Sequence, residues 1–107
     1  MSAFQGKRVV VTGAGQGIGY GLCRAFAQAG AFVALNDADP ALAQQAAGAI
    51  NREIDAERVR AYPADIADVS AVTTLIDTFA DQHGGLEIVI ANAGITRYMP
   101  FLESTPE

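Results

Sequence analysis

Residues 9–21 read Val-Val-Val-Thr-Gly-Ala-Gly-Gln-Gly-Ile-Gly-Tyr-Gly. A β-branched run meets a cluster of glycines, and a helix-like pattern follows. Few backbones satisfy that order. The first part favours an extended strand, the glycines permit positive φ and close backbone approach, and the remainder has helical periodicity. The outcome is strand, tight turn, helix. The N-terminal N–H groups of such a helix are disposed to hold a phosphate. Thr12, Gly13, Gly17 and Gly19 give T-G-x-x-x-G-x-G, and Gly15, Gly17 and Gly21 fit the looser G-x-G-x-x-x-G. Glycine-rich turns are common in general. A strand before and a helix after are the context that separates a nucleotide-binding turn from a plain βα connection.

The same rhythm runs along the chain. Strand one is Arg8 to Thr12, apolar beyond Arg8, as befits a strand covered on both faces. Helix one spans Gly17 to Ala29, with Ile18, Leu22, Ala25, Phe26 and Ala29 on one stripe, and Gly30 ends it. Strand two is Phe32 to Asn36. Asp39 caps helix two, Pro40 opens it, and it runs to Ile54. Strand three is Val59 to Tyr62. Asp68 caps helix three, whose stripe holds Val72, Leu75, Ile76 and Phe79, and Gly84-Gly85 stops it. Strand four is Leu86 to Ala91. Alternation of this kind predicts an α/β parallel sheet with right-handed crossovers, strand order 3-2-1-4, and a ligand crevice beside strand one.

Composition narrows the function classes. Of the 107 residues 50% are hydrophobic and 18% charged, a globular rather than a disordered balance. A net charge of −5 opposes a nucleic-acid partner. No stretch approaches the ~20 apolar residues of a membrane helix. The single cysteine, Cys23, allows no intrachain disulfide, and with no secretion signal the expected compartment is the cytoplasm. No Cys/His grouping has metal-ligand spacing. Cys23 reads as a buried, inert thiol. His83 stands at a helix end, where a cation favours the dipole.

Four elements together resemble the short-chain dehydrogenases/reductases, over essentially the whole chain from Gly6. Thr12 to Gly19 is similar to that family's cofactor-binding turn, which brings in Gly13, Gln16, Gly17, Ile18 and Gly19. Asp37, closing strand two, resembles its adenosine-ribose carboxylate. Asp65-Ile66 resembles the pair that holds the adenine. Asn92-Ala93-Gly94 resembles its N-A-G motif, with Ala91 where many members repeat the asparagine. The resemblance implies the N-terminal portion of a Rossmann-like doubly wound domain, residues 1–107 with no second domain. It also implies an oxidoreductase that moves hydride between a nicotinamide and a carbonyl or secondary alcohol, and a homo-oligomer, dimer or tetramer, when complete.

Individual residues carry more than one reading. Asp37 lies 18 positions after Gly19, the spacing of a ribose-binding acid. Its charge repels a 2′-phosphate, and neither Gln16 nor Ala38 supplies a compensating cation, so NAD is expected rather than NADP. The alternative is that Asp37 merely begins the loop and Asp39 is the only working acid; in the ribose role Asn36 is a neighbour that could assist. Asp65 follows strand three at the carboxyl edge, either as adenine acceptor or as loop carboxylate. Ile66 would pack on the ring. Asn92 reads first as a tie between strands and second as a crevice residue. Gly94 permits close backbone approach or makes a turn. Thr12 bonds the turn or strand four, or is simply a strand residue. Arg97 and Tyr98 read as solvated loop residues.

The family's Tyr-x-x-x-Lys pair has no counterpart. The tyrosines are Tyr20, Tyr62 and Tyr98, and the only lysine, Lys7, precedes them all. Ser104-Thr105-Pro106-Glu107 has the form of a capping box, which makes a truncated enzyme the expectation. A chain ending there should be inactive and leave strand four as an unprotected edge. A non-catalytic dinucleotide-binding module and an inactive fragment are the alternatives. Gly94-Ile95-Thr96-Arg97 is similar to acyl-carrier-protein-linked ketoreductases, whereas Asp37 points to NAD-linked sugar or alcohol dehydrogenases. The latter is preferred because it has a physical reason.

Overall fold

The computed structural model of the chain describes residues 3–92. In chain order the elements are β1 (Arg8–Val11), α1 (Gly17–Gln28), β2 (Phe32–Leu35), α2 (Pro40–Ile54), β3 (Val59–Ala61), α3 (Val69–His83) and β4 (Ile88–Ile90). The strands form one parallel sheet in the expected order β3-β2-β1-β4. Val9 lies level with Val33 on one side and Ile88 on the other. Single backbone bonds carry the ladder past the strand ends, from Thr12 N–H to Ile90 O at 3.0 Å, from Asn36 N–H to Val11 O at 3.0 Å and from Tyr62 N–H to Leu35 O at 2.9 Å.

Successive strand side chains point to opposite faces, which divides the core in two. Val9, Val11, Val33 and Leu35 pack against Cys23 and Ala27 of α1 and against Ala43, Ala46, Ala47 and Ile50 of α2. Val10 and Ala34 pack against Leu75 and Phe79 of α3. Among the described residues, right-handed crossovers put two helices on the first face and one on the second, so the second is the more thinly covered. Val89, level with Val10, is 51% exposed. Phe79 is fully buried and stands edge-on to Tyr62 at 5.7 Å. Truncating it to Ala costs about 3–5 kcal/mol on the usual scale for buried aromatics.

The inner face of α1 differs from the stripe expected from apolar spacing. Its buried residues are Gly19, Cys23 and Ala27, four apart on one line, whereas Ile18 is 73% exposed and Ala25 also faces outward. Small residues mark the contact because the helix lies close to the sheet, and counting large apolar residues misplaces it by part of a turn. Burial raises the Cys23 thiol to about 12, which makes it inert at neutral pH.

The helix ends follow their local chemistry. Gly30 has φ 95°, and its N–H and that of Ala31 reach Ala27 O and Phe26 O at 3.0 Å each, a paired closure of the last turn of α1. Asp55 ends α2 at φ 56°, a left-handed position filled without glycine. His83 closes the last turn of α3, as expected. Its ring packs on Phe79 at 4.6 Å and Phe32 at 5.3 Å. Burial first, then Arg60 and Arg8, hold it below its ordinary pKa. Its carbonyl oxygen also serves the helix end, accepting from Arg8 Nη1 at 2.9 Å.

Candidate functional site

The carboxyl ends of β1, β2 and β3 converge on the glycine turn. Gly13 and Gly17 have φ 60° and 67°, left-handed values at which a β-carbon is strained. Among the described residues, and apart from its own helix and chain neighbours, no atom lies within 4 Å of where a Gly17 β-carbon would project, so the space before α1 is open. Three consecutive turn amides are committed to the end of β2. Gly13 N–H donates to Asn36 Oδ1 at 3.3 Å, Ala14 N–H to Asn36 O at 2.6 Å and Gly15 N–H to Asp37 Oδ2 at 3.0 Å.

The amides that follow are differently placed. The first four N–H groups of any helix lack an intrahelical acceptor. Asp39 caps α2, accepting from Ala41 and Leu42 N–H at 3.0 and 3.2 Å, and Asp68 caps α3 through Ala71 N–H at 3.2 Å. At α1 the cap position is Gln16, which makes no side-chain capping bond, and the first turn carries no acidic residue. The positive end of the α1 dipole therefore faces the open space without a side-chain cap.

Asp37 stands at the rim of that space. Its Oδ1 accepts from Asp39 N–H at 3.1 Å and its Oδ2 from Gly15 N–H. Both oxygens keep lone pairs for further donors. A hollow of about 260 Å3 beside it is lined by Gly13, Asn36, Asp37, Ala38, Ala64, Asp65 and Ile66, with no basic side chain among them. Asp65 Oδ1 accepts from Ala67 N–H at 2.9 Å, closing its own turn and placing Ile66 in the lining. A larger hollow of about 610 Å3, lined in part by Gln44, Gly48, Arg52 and Asp55, lies between α2 and the outer strand β3. It lacks the convergence of strand ends and helix N-terminus that marks ligand sites in open α/β sheets.

Two asparagines hold the turn. Asn36, 1% exposed, accepts from Gly13 and donates to Tyr62 O and Ala64 O at 2.9 and 3.1 Å, so one side chain joins the glycine turn to the turn after β3. Asn92 Nδ2 donates to Gly13 O at 3.0 Å from the end of β4, the strand-tying role expected of it. Thr12 Oγ1 donates to Ile90 O at 3.5 Å, the strand-four alternative. Gly19 is no part of the open space. A β-carbon there would lie 2.6 Å from both Asn92 Nδ2 and Gly13 O and 2.8 Å from Ala14 Cα, so this glycine lets α1 seat against the turn. Ala93 and Gly94, with Arg97 and Tyr98, lie outside the described residues.

The short chain dehydrogenase family model matches residues 7–107. The chain belongs to the short-chain dehydrogenase family. Within this family it is 34% identical to oxidoreductase UcpA of Escherichia coli K12 over 107 residues, which is all of this chain and 40% of that protein. The 3-ketoacyl-(acyl-carrier-protein) reductase of Brucella melitensis, solved with NADH, superposes with a TM-score of 0.73 at 32% identity, over 81% of this chain and 34% of that one. The L-sorbose reductase of Gluconobacter frateurii, solved with NADPH and L-sorbose, superposes with a TM-score of 0.78 at 29% identity, over 84% and 34%. The fold is thus that of dehydrogenases that hold a nicotinamide dinucleotide, and short-chain dehydrogenases with either form of that cofactor share it. Among the described residues no helix is long and apolar enough to cross a membrane, and none group to hold a metal ion.

Asn36 is the residue whose weight sequence reasoning underrated, as an assistant to Asp37. An asparagine at the end of an otherwise apolar strand was its only signal, since a buried amide needs partners.

Proposed function

We propose that residues 1–107 form the NAD(H)-binding part of a short-chain dehydrogenase that moves hydride between the nicotinamide and a carbonyl or secondary alcohol. The supporting observation is the Asp37 carboxylate, held by two backbone amides at the rim of a hollow with no basic side chain among the described residues that line it. It accepts from both adenosine-ribose hydroxyls and repels a 2′-phosphate. The uncapped N-terminus of α1, with Gly13, Gln16, Gly17 and Ile18, receives the pyrophosphate. Asp65 takes the adenine amino group and Ile66 packs on the ring. Gly19 acts by seating α1, and Asn92, Ala93 and Gly94 border the nicotinamide ribose. The bound nicotinamide supplies the hydride chemistry.

The residues of this chain bind and orient. Lys7 is the only lysine and precedes every tyrosine, so these 107 residues supply no Tyr-x-x-x-Lys proton relay and do not turn over by themselves. The substrate class is a sugar or simple secondary alcohol in preference to a carrier-linked 3-oxoacyl group, following the choice of NAD. The test is calorimetric titration of the natural protein that carries this sequence. NAD+ should bind more tightly than NADP+, and Asp37→Ala should narrow the gap. Equal affinity for both in the unmutated protein would sink the assignment.

A further inference from the structure

Gly15 lies in the turn yet has none of the usual reasons to be glycine. Its φ is not among the positive values of the chain, so an L-residue fits its backbone. Its surroundings supply the reason. A β-carbon at Gly15 would lie 2.8 Å from Asp37 Oδ2 and 2.7 and 2.8 Å from Cγ and Cδ2 of Leu42, closer than such atoms approach. The Gly15 amide is itself the donor to that same Oδ2, at 3.0 Å. Position 15 therefore touches Asp37 twice, once by a bond that holds the carboxylate and once by the space it leaves.

We infer that Gly15 is a positioning residue for cofactor choice: it sets the place of the Asp37 carboxylate and, through it, the discrimination between a ribose 2′-hydroxyl and a 2′-phosphate. This rests on the reading of Asp37 given above. The contrast with Gly19 makes the effect separable from loss of the turn. At Gly19 two of the three obstacles are backbone atoms, Gly13 O and Ala14 Cα, and cannot yield. At Gly15 all three belong to side chains, those of Asp37 and Leu42, which can turn aside. Swung outward, the carboxylate loses both its alignment with the ribose hydroxyls and its proximity to a 2′-phosphate.

The experiment is a double-mutant cycle on the natural protein that carries this sequence, with calorimetric dissociation constants for NAD+ and NADP+ and a thermal melt of each variant. Gly15→Ala should weaken NAD+ by about tenfold, the worth of hydrogen bonds to a charged acceptor, while NADP+ stays within about threefold. In the Asp37→Ala background, Gly15→Ala should leave the NAD+/NADP+ ratio unchanged. Equal losses for both cofactors, or the same ratio change without Asp37, would overturn the inference. If Gly15→Ala does not fold, Gly15→Ala with Leu42→Ala removes the second obstacle and keeps the first, and the same ratio change is expected. Failure of both variants to fold also overturns it, because the collision then falls on more than side chains. An unmutated protein that binds neither dinucleotide defeats the underlying site assignment and is distinguishable from every other outcome.

Discussion

The side-chain amide of Asn92, at the end of β4, donates to the carbonyl oxygen of Gly13 at 3.0 Å. Two residues 79 positions apart thus hold the first turn of the sheet from the strand farthest along the described chain. Asn36 holds the same turn from the other side. The glycine turn is clamped between β2 and β4, and its geometry depends on both neighbours.

Asn36 should be the more sensitive clamp. It is buried with three backbone partners, Gly13 N–H, Tyr62 O and Ala64 O. Asn36→Ala leaves them unmatched and should cost about 2–4 kcal/mol. Urea denaturation checks this. A loss under about 0.5 kcal/mol, the level of an ordinary surface change, would mean water replaces the amide without penalty.

The glycines of α1 should divide sharply. Gly19→Ala puts a β-carbon 2.6 Å from Gly13 O and should unseat the helix, lowering the melting temperature and abolishing dinucleotide binding together. Gly21 has nothing within 4 Å of a β-carbon and lies mid-helix, so Gly21→Ala should stabilise by about 0.5–1 kcal/mol. Thermal melts of the two variants give the comparison, and similar effects from both would refute the packing account.

Acid should weaken the join between β1 and β4. Glu87 accepts from Arg8 N–H and Nε at 2.7 and 2.8 Å and pairs with Nη2. These bonds draw its pKa from 4.5 to about 2. A carboxylate whose folded pKa is depressed contributes stability that is fully present above its unfolded value and lost as pH falls through the folded one. The window is therefore pH 4.5 to 2. Glu87→Gln should flatten the stability–pH curve in that window, and an unchanged curve would show that the pair contributes nothing.

The 107-residue polypeptide expressed alone should self-associate. Among the described residues β4 pairs only with β1, and Val89 on its thinly covered face is 51% exposed. An open apolar edge recruits further strands. Sedimentation velocity should show oligomers that Val89→Lys reduces. A monodisperse monomer at micromolar concentration would contradict this.

The alternation of elements, the sheet order and the caps Asp39 and Asp68 were legible in the sequence because their causes are local: apolar period, Pro and Gly placement, and the handedness of a crossover. The inner face of α1 was not, since Gly19, Cys23 and Ala27 are chosen by how near the sheet lies and not by hydrophobicity. The surroundings of His83 were hidden for a similar reason. Its helix-end position was readable, but the rings of Phe32 and Phe79 packed against it were not.

By itself the sequence determined that a glycine-rich turn follows the first strand of a parallel sheet and that an acid follows the second. Only the tertiary structure decided what each turn residue is for. Gly13 and Gly17 serve backbone conformation, Gly19 seats a helix, Gly15 makes room for Asp37, and Asn36 and Asn92 clamp the turn. Backbone preference and periodicity are properties of neighbours in the chain. The hydrogen bonds that hold the turn join segments brought together by folding, here 22 to 79 residues apart, and no local pattern encodes them.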